Sequence, residues 1–160
     1  MPVIRHAARS LLATPVVTQI NGGAPLTAFT VRTDDLLQTQ IASVTSGGNF
    51  AQEAAGGVPV LSDGAFTITG NPPGNSGFAA GENDSFVQFT LDTSVNTLGY
   101  DISSIETYGG WNDTGRDRQL FKISYSLVDS ADFIHLGALD SDPAGVPAGT
   151  PSAIRAVFDT

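Results

Sequence analysis

The sequence predicts an all-β fold: an antiparallel two-sheet sandwich of the jelly-roll kind, with a short amphipathic helix at its N-terminus. Three observations lead there. Charged residues make up only 14% of the 160-residue chain, too few for a long solvated helix or a coiled coil. Eighteen glycines and nine prolines are spread along it without a short repeat, so they read as turn residues. Between them lie short stretches where apolar and polar residues alternate with period two, the mark of a strand with one buried face.

The helix comes first. Val3, Ile4, Ala7, Ala8, Leu11 and Leu12 recur at helical spacing, Arg5, His6 and Arg9 lie opposite, and Pro15 ends the run. Only residues 11–13 are continuously apolar, short of the roughly 7–15 residues of a secretory signal. Residues 1–15 are therefore read as a helical leader or cap, and residues 16–160 as one domain.

The strands follow. Residues 28–32 place Phe29 and Val31 on one face. Asp34 is positioned to cap a brief helix through Ile41, with Leu36, Leu37 and Ile41 facing inward. Residues 46–49 and 54–57 read as loops. Phe66 and Ile68 alternate with Ala65, Thr67 and Thr69, and residues 71–81, with Pro72 and Pro73, read as a long loop. Residues 85–91 form the cleanest strand, with Val87, Phe89 and Leu91 on one face. Residues 97–108 are strand-like with an imperfect period. Residues 119–128 alternate well, and residues 133–139 and 153–158 complete the set. The core is expected to hold Val87, Phe89, Leu91, Ile123, Tyr125 and Leu127.

Charge removes some classes of partner. Sixteen acids against seven bases give a net charge of −9. Binding nucleic acid needs a basic face that displaces phosphate counterions, and the densest basic pair here is Arg116 with Arg118. Nucleic acid and anionic membrane surfaces are not expected partners. No stretch approaches the roughly 18 apolar residues of a membrane span, so no membrane insertion is expected. Without cysteine there are no disulfides and no thiolate chemistry.

Two stretches carry a family resemblance. One is Val-Pro-Val-Leu-Ser-Asp-Gly at residues 58–64, an apolar approach to an Asp-Gly turn. The other runs from Gly-Tyr-Asp-Ile-Ser-Ser-Ile-Glu-Thr-Tyr at 99–108, through Gly-Gly-Trp-Asn-Asp-Thr-Gly-Arg-Asp-Arg at 109–118, to Phe-Lys-Ile-Ser-Tyr-Ser at 121–126. Together they resemble the galactose-binding-like jelly rolls, which include discoidin or coagulation-factor type C domains and many bacterial carbohydrate-binding modules. The resemblance is closer still to uncharacterised domains of exported bacterial proteins, and it covers residues 34–158. It implies a secreted or cell-surface location and a glycan or cell-surface protein as partner. Such domains usually continue into further closing strands. The resemblance therefore implies a missing closing strand and an open sheet edge near Ile154, through which the chain self-associates or accepts a partner's strand.

Residues 109–119 form the candidate ligand loop. A pyranose is recognised by an aromatic ring against its C–H face and planar polar groups on its hydroxyls. Trp111, Asn112, Asp113, Arg116 and Arg118 supply those types within a dozen residues. The competing reading buries Trp111 in the core and uses Arg116 or Arg118 to bridge aspartates.

A structural calcium is the second candidate ligand, because hard cations take carboxylate, amide and carbonyl oxygens. Asp63 beside Gly64 is the best single candidate; Glu82 to Asp84, Asn112 with Asp113, and Asp140 with Asp142 also qualify by type. None of them completes a calcium-loop pattern. Catalysis has less behind it. The two histidines are His6 and His135, no nucleophile, zinc, phosphate-loop or dinucleotide spacing occurs, and no carboxylate pair stands out.

The sequence thus predicts a non-catalytic extracellular binding module for carbohydrate. The alternative is a structural or interaction subunit of a cell-surface assembly. An exposed Trp111 favours the first; a buried Trp111 with an open sheet edge favours the second.

Overall fold

The structure is a computed structural model that describes residues 12–23, 27–52, 55–66, 77–111, 118–141 and 149–160. These residues are all-β, with small antiparallel sheets and almost no helix. Of the helical segment expected over residues 1–15, residues 1–11 lie outside the described residues, and residues 12–15 are not helical.

The strands are β1 (Val16–Asn21), β2 (Ile41–Gly47), β3 (Phe86–Leu91), β4 (Ser104–Trp111), β5 (Gln119–Tyr125), β6 (Ile134–Ser141) and β7 (Ser152–Asp159). One short helix, α1 (Leu36–Thr39), precedes β2, and a 3-10 turn spans Val58–Ser62. The strands pair as β1-β7-β4, β2-β3 and β5-β6.

Strand β7 organises the molecule. It pairs with β1 from Val16↔Val157 to Asn21↔Ser152, and with β4 from Ser104↔Asp159 to Trp111↔Ser152. The expectation of an open edge near Ile154 is therefore corrected: Ile154 lies opposite Gln19 on one side and Gly109 on the other. The run 153–158 carries one charge because it is enclosed, not because it awaits a partner. A strand buried on both sides reads as near-continuous apolar sequence.

The β5-β6 ribbon lies over this sheet. Leu136 and Leu139 of β6 cluster with Ala156 and Phe158 of β7, and Ile105, Phe121, Ile123, Tyr125 and Ala13 pack around them. Phe121 and Phe158 hold their ring centroids 6.1 Å apart. Gly137 makes this approach possible: a Cβ there would sit 2.5 Å from the Ala13 carbonyl oxygen and 3.2 Å from the Phe158 ring. Gln119, at the start of β5, donates from Nε2 to the Ile154 carbonyl at 3.2 Å.

The sequence expectations need further corrections. Leu127 is 59% exposed because β5 ends at Tyr125, two residues earlier. Val87, Phe89, Leu91, Ile123 and Tyr125 are half-buried. Asp35, not Asp34, caps α1 by accepting from the Leu37 and Gln38 amides; Asp34 is held by Arg32 through two hydrogen bonds of 3.0 and 3.1 Å. Ile41 opens β2 instead of ending a helix, and β2 runs into the segment read as a loop. Strand β4 lies downstream of its expected start and takes in Trp111 as its last residue.

Candidate functional site

The candidate ligand loop divides at the end of β4. Trp111 is 4% exposed and meets Phe78 edge to face, with ring centroids 4.8 Å apart and planes at 80°. That geometry suits the positive edge of one ring against the negative face of the other. Its ring faces are taken up by the protein interior, so it offers no open platform for a sugar. Asn112, Asp113 and Arg116 lie outside the described residues.

Arg118 sits one residue before β5. Its Nε and Nη2 donate to the two carboxylate oxygens of Asp140 on β6 at 2.8 and 2.7 Å. Both side chains are about half exposed. The hydrogen bonds from Arg118 hold the Asp140 carboxyl below its usual range. This is the arginine-to-aspartate bridge named as the competing reading, though half of it still faces solvent.

Asp63 follows the 3-10 turn. Its Oδ1 accepts from the Ala65 amide at 2.9 Å, which is the local bond of an Asx turn. Among the described residues no three acidic or histidine side chains converge to hold a metal ion, at Asp63 or elsewhere.

A constellation that sequence reasoning missed lies between β4 and β7. Glu106 and Tyr108 are two apart on β4 and so share a face, and Arg155 lies directly opposite Tyr108. Arg155 donates from Nε to Glu106 Oε2 at 3.0 Å and from Nη2 to Oε1 at 2.8 Å. Tyr108 Oη donates to Glu106 Oε2 at 2.5 Å. The Arg155 bonds, then the Tyr108 bond, hold the Glu106 carboxyl below its usual range. Burial, then the bond to Glu106, pushes the Tyr108 hydroxyl up. Tyr108 also packs against Phe29 and Phe66 at 6.0 and 5.6 Å. The Glu-x-Tyr spacing was readable; the Arg155 partner required the strand register. These hydrogen bonds tie β4 to β7 through side chains as well as through the strand pairing.

Among the described residues the two most exposed large apolar side chains, Val95 and Leu98, lie elsewhere. The turns after β3 and β5 carry Val95 at 80%, Leu98 at 92%, Leu127 at 59%, Val128 at 39% and Phe133 at 55% exposure. The two turns touch: Gly99 has φ of +86° and a Cβ there would sit 2.7 Å from Val128 Cγ2. Both are internally bonded. The Ser94 amide donates to Asp92 at 2.8 Å, Gly99 to Asn96 at 3.0 Å and Ser130 to Leu127 at 3.1 Å. The Tyr100 hydroxyl donates to the Asp92 carbonyl at 2.6 Å. Asp92, Asp101, Asp129 and Asp132 belong to these two segments, which contain no lysine or arginine. The signal was apolar residues inside turn-forming sequence, where turn chemistry demands exposure.

Comparison with known proteins assigns no role to any of these places: no family model matches the chain, and no curated protein or solved structure matches it.

Proposed function

We propose that the chain is a non-catalytic β-sandwich binding domain that docks a protein partner through the turns at 92–101 and 126–133. The observation that carries this reading is Leu98, 92% exposed on a hydrogen-bonded turn that meets, through Gly99 and Val128, a second turn carrying exposed Leu127, Val128 and Phe133. Single exposed apolar residues are ordinary; grouped ones rimmed by polar residues mark interaction surfaces. The rim here is acidic, which repels an anionic lipid surface and suits an apolar partner surface edged by Lys and Arg. The burial of Trp111 also favours an interaction domain over a sugar-stacking one. A cell-surface or secreted setting comes with the galactose-binding-like resemblance and is proposed on it.

The test uses two fluorescent amphipathic helical peptides, one of Leu and Lys, one of Leu and Glu. The Leu/Lys peptide should bind, and Leu98→Ser with Phe133→Ser should weaken it by about tenfold or more. Equal binding by the double variant with unchanged circular dichroism would overturn the reading.

A glycan reading survives at one place. Arg118 is half exposed and its guanidinium is oriented by Asp140, a planar set of N–H donors of the kind that hydrogen-bonds polar ligands. Retention on a glycan panel that is lost in Arg118→Ala would favour it.

A further inference from the structure

The β2-β3 ribbon has a property that the docking turns do not share. Among the described residues strand β2 pairs on one side only, with β3, in the register Val44↔Phe89, Thr45↔Gln88 and Ser46↔Val87. In an antiparallel strand, alternate residues point N–H and C=O away from the paired neighbour. Among the described residues no backbone bond takes up those groups along β2; the nearest, from the Asp92 amide to the Gln40 carbonyl at 2.8 Å, lies toward β3. Residues 42–46 are all exposed, so side chains on both faces of β2 meet solvent.

Edges of this kind are normally blocked by lysine, proline, a distorting bulge or a covering element. The β2 sequence, Ile-Ala-Ser-Val-Thr-Ser-Gly, has no charge and no proline. Its irregularity lies between Ile41 and Ser43 and leaves residues 43–47 in regular register. A two-stranded ribbon is marginally stable in water and gains from a third strand.

We infer that the open edge of β2 receives an extended segment from another protein, uncharged and β-branched in its centre and basic at its ends. The edge chemistry selects the form of the occupant, because only an extended backbone matches a row of alternating donors and acceptors. Charge selects its source. Every charged side chain between Arg32 and Arg116 is acidic. Asp92 adjoins the Gln40 end of β2, and Glu82 accepts from Asn49 at 3.2 Å beyond the other end. A second copy pairing β2 with β2 antiparallel would bring these acidic ends together. A basic-flanked segment would meet them favourably.

The inference does not rest on the docking turns, and its test reads a different part of the chain. The probe is a synthetic peptide with a Thr-Val-Thr-Val-Thr centre and two lysines at each end. Its controls are the same centre flanked by glutamates, and a lysine-flanked centre interrupted by proline. Amide hydrogen exchange and nitrogen-15 chemical shifts are followed on the full chain. The lysine-flanked peptide should bind saturably and slow exchange at alternate residues of 41–47, leaving 92–101 unchanged. Both controls should bind about tenfold or more weakly. Ser43→Lys with Thr45→Lys, which leaves the backbone pairing to β3 in place, should weaken the peptide by a similar factor. Unchanged exchange at 41–47, or equal affinity for the proline peptide, would overturn the inference. So would protection of 41–47 that appears with rising protein concentration and no peptide, because the occupant would then be a second copy.

Discussion

Strands β7 and β2 are both short, poor in charge and free of proline, yet the fold uses them in opposite ways. Strand β7 has a neighbour on each side and carries Ala153, Ile154, Ala156 and Phe158 at 0–1% exposure. Strand β2 has one neighbour among the described residues and is exposed along its middle five residues. The difference lies in side-chain size. Ile154 and Phe158 are bulky enough to anchor a packed layer, whereas Ser43, Thr45 and Ser46 have little apolar surface to bury. Low charge therefore means enclosure where large apolar residues alternate, and availability where small polar ones do.

Deleting a large side chain should separate the two regions most sharply. Phe158→Ala removes a fully buried ring from the β5-β6 contact and should cost about 3–5 kcal/mol, read from urea unfolding. Val44→Ala on β2 should cost under about 0.5 kcal/mol by the same measurement. Similar costs at the two positions would erase the distinction.

Trp111→Ala should follow closely, at about 3–5 kcal/mol, because it empties the site against Phe78. This reverses what an exposed ligand-stacking tryptophan would do. A variant with unchanged stability would return Trp111 to the surface and revive sugar stacking there.

The Glu106 constellation gives a smaller effect with a pH signature. Its carboxyl is held below the ordinary range in the folded chain, so the folded state binds its proton less readily than the unfolded chain does. The resulting stability is present above the ordinary carboxylate range and is lost as pH falls through the lowered value. Glu106→Gln should cost about 1–2 kcal/mol at neutral pH, since the pair is partly exposed, and should flatten the acid limb of the stability curve. An acid limb identical to that of the wild type would place the pH dependence elsewhere.

Thr107→Val should act in the other direction. The Thr107 hydroxyl is buried with no hydrogen-bond partner among the described residues. Replacing it with a methyl group of similar shape should stabilise the chain by about 1 kcal/mol, seen as a higher urea midpoint with unchanged slope. A loss of stability would mean that the hydroxyl is satisfied in solution.

How much was legible follows from the same contrast. Strands β3, β5, β6 and β7 could be read because Val87, Phe89, Phe121, Ile123, Leu136 and Phe158 alternate with polar or small residues. Strand β2 could not, because Ser, Thr and Gly resemble loop sequence until a partner strand supplies their hydrogen bonds. Register was also out of reach. Nothing local tells that Ile154 sits between Gln19 and Gly109, or that Phe78 covers Trp111. That distance in sequence is why Trp111 read as a ligand residue. The cap shows the local limit: Asp34 and Asp35 are equivalent by type, and the helix start at Leu36 places Asp35 in the capping position.

Residue-resolved amide hydrogen exchange on the unliganded chain tests the division between an enclosed and an open strand most directly. Local opening energies range from near zero up to the global stability. Amides of 153–158 on β7 should exchange only through global unfolding, while the outward-pointing amides of 42–46 on β2 should exchange close to the rate of an unprotected peptide. Equal, strong protection of both strands at low protein concentration would contradict the account.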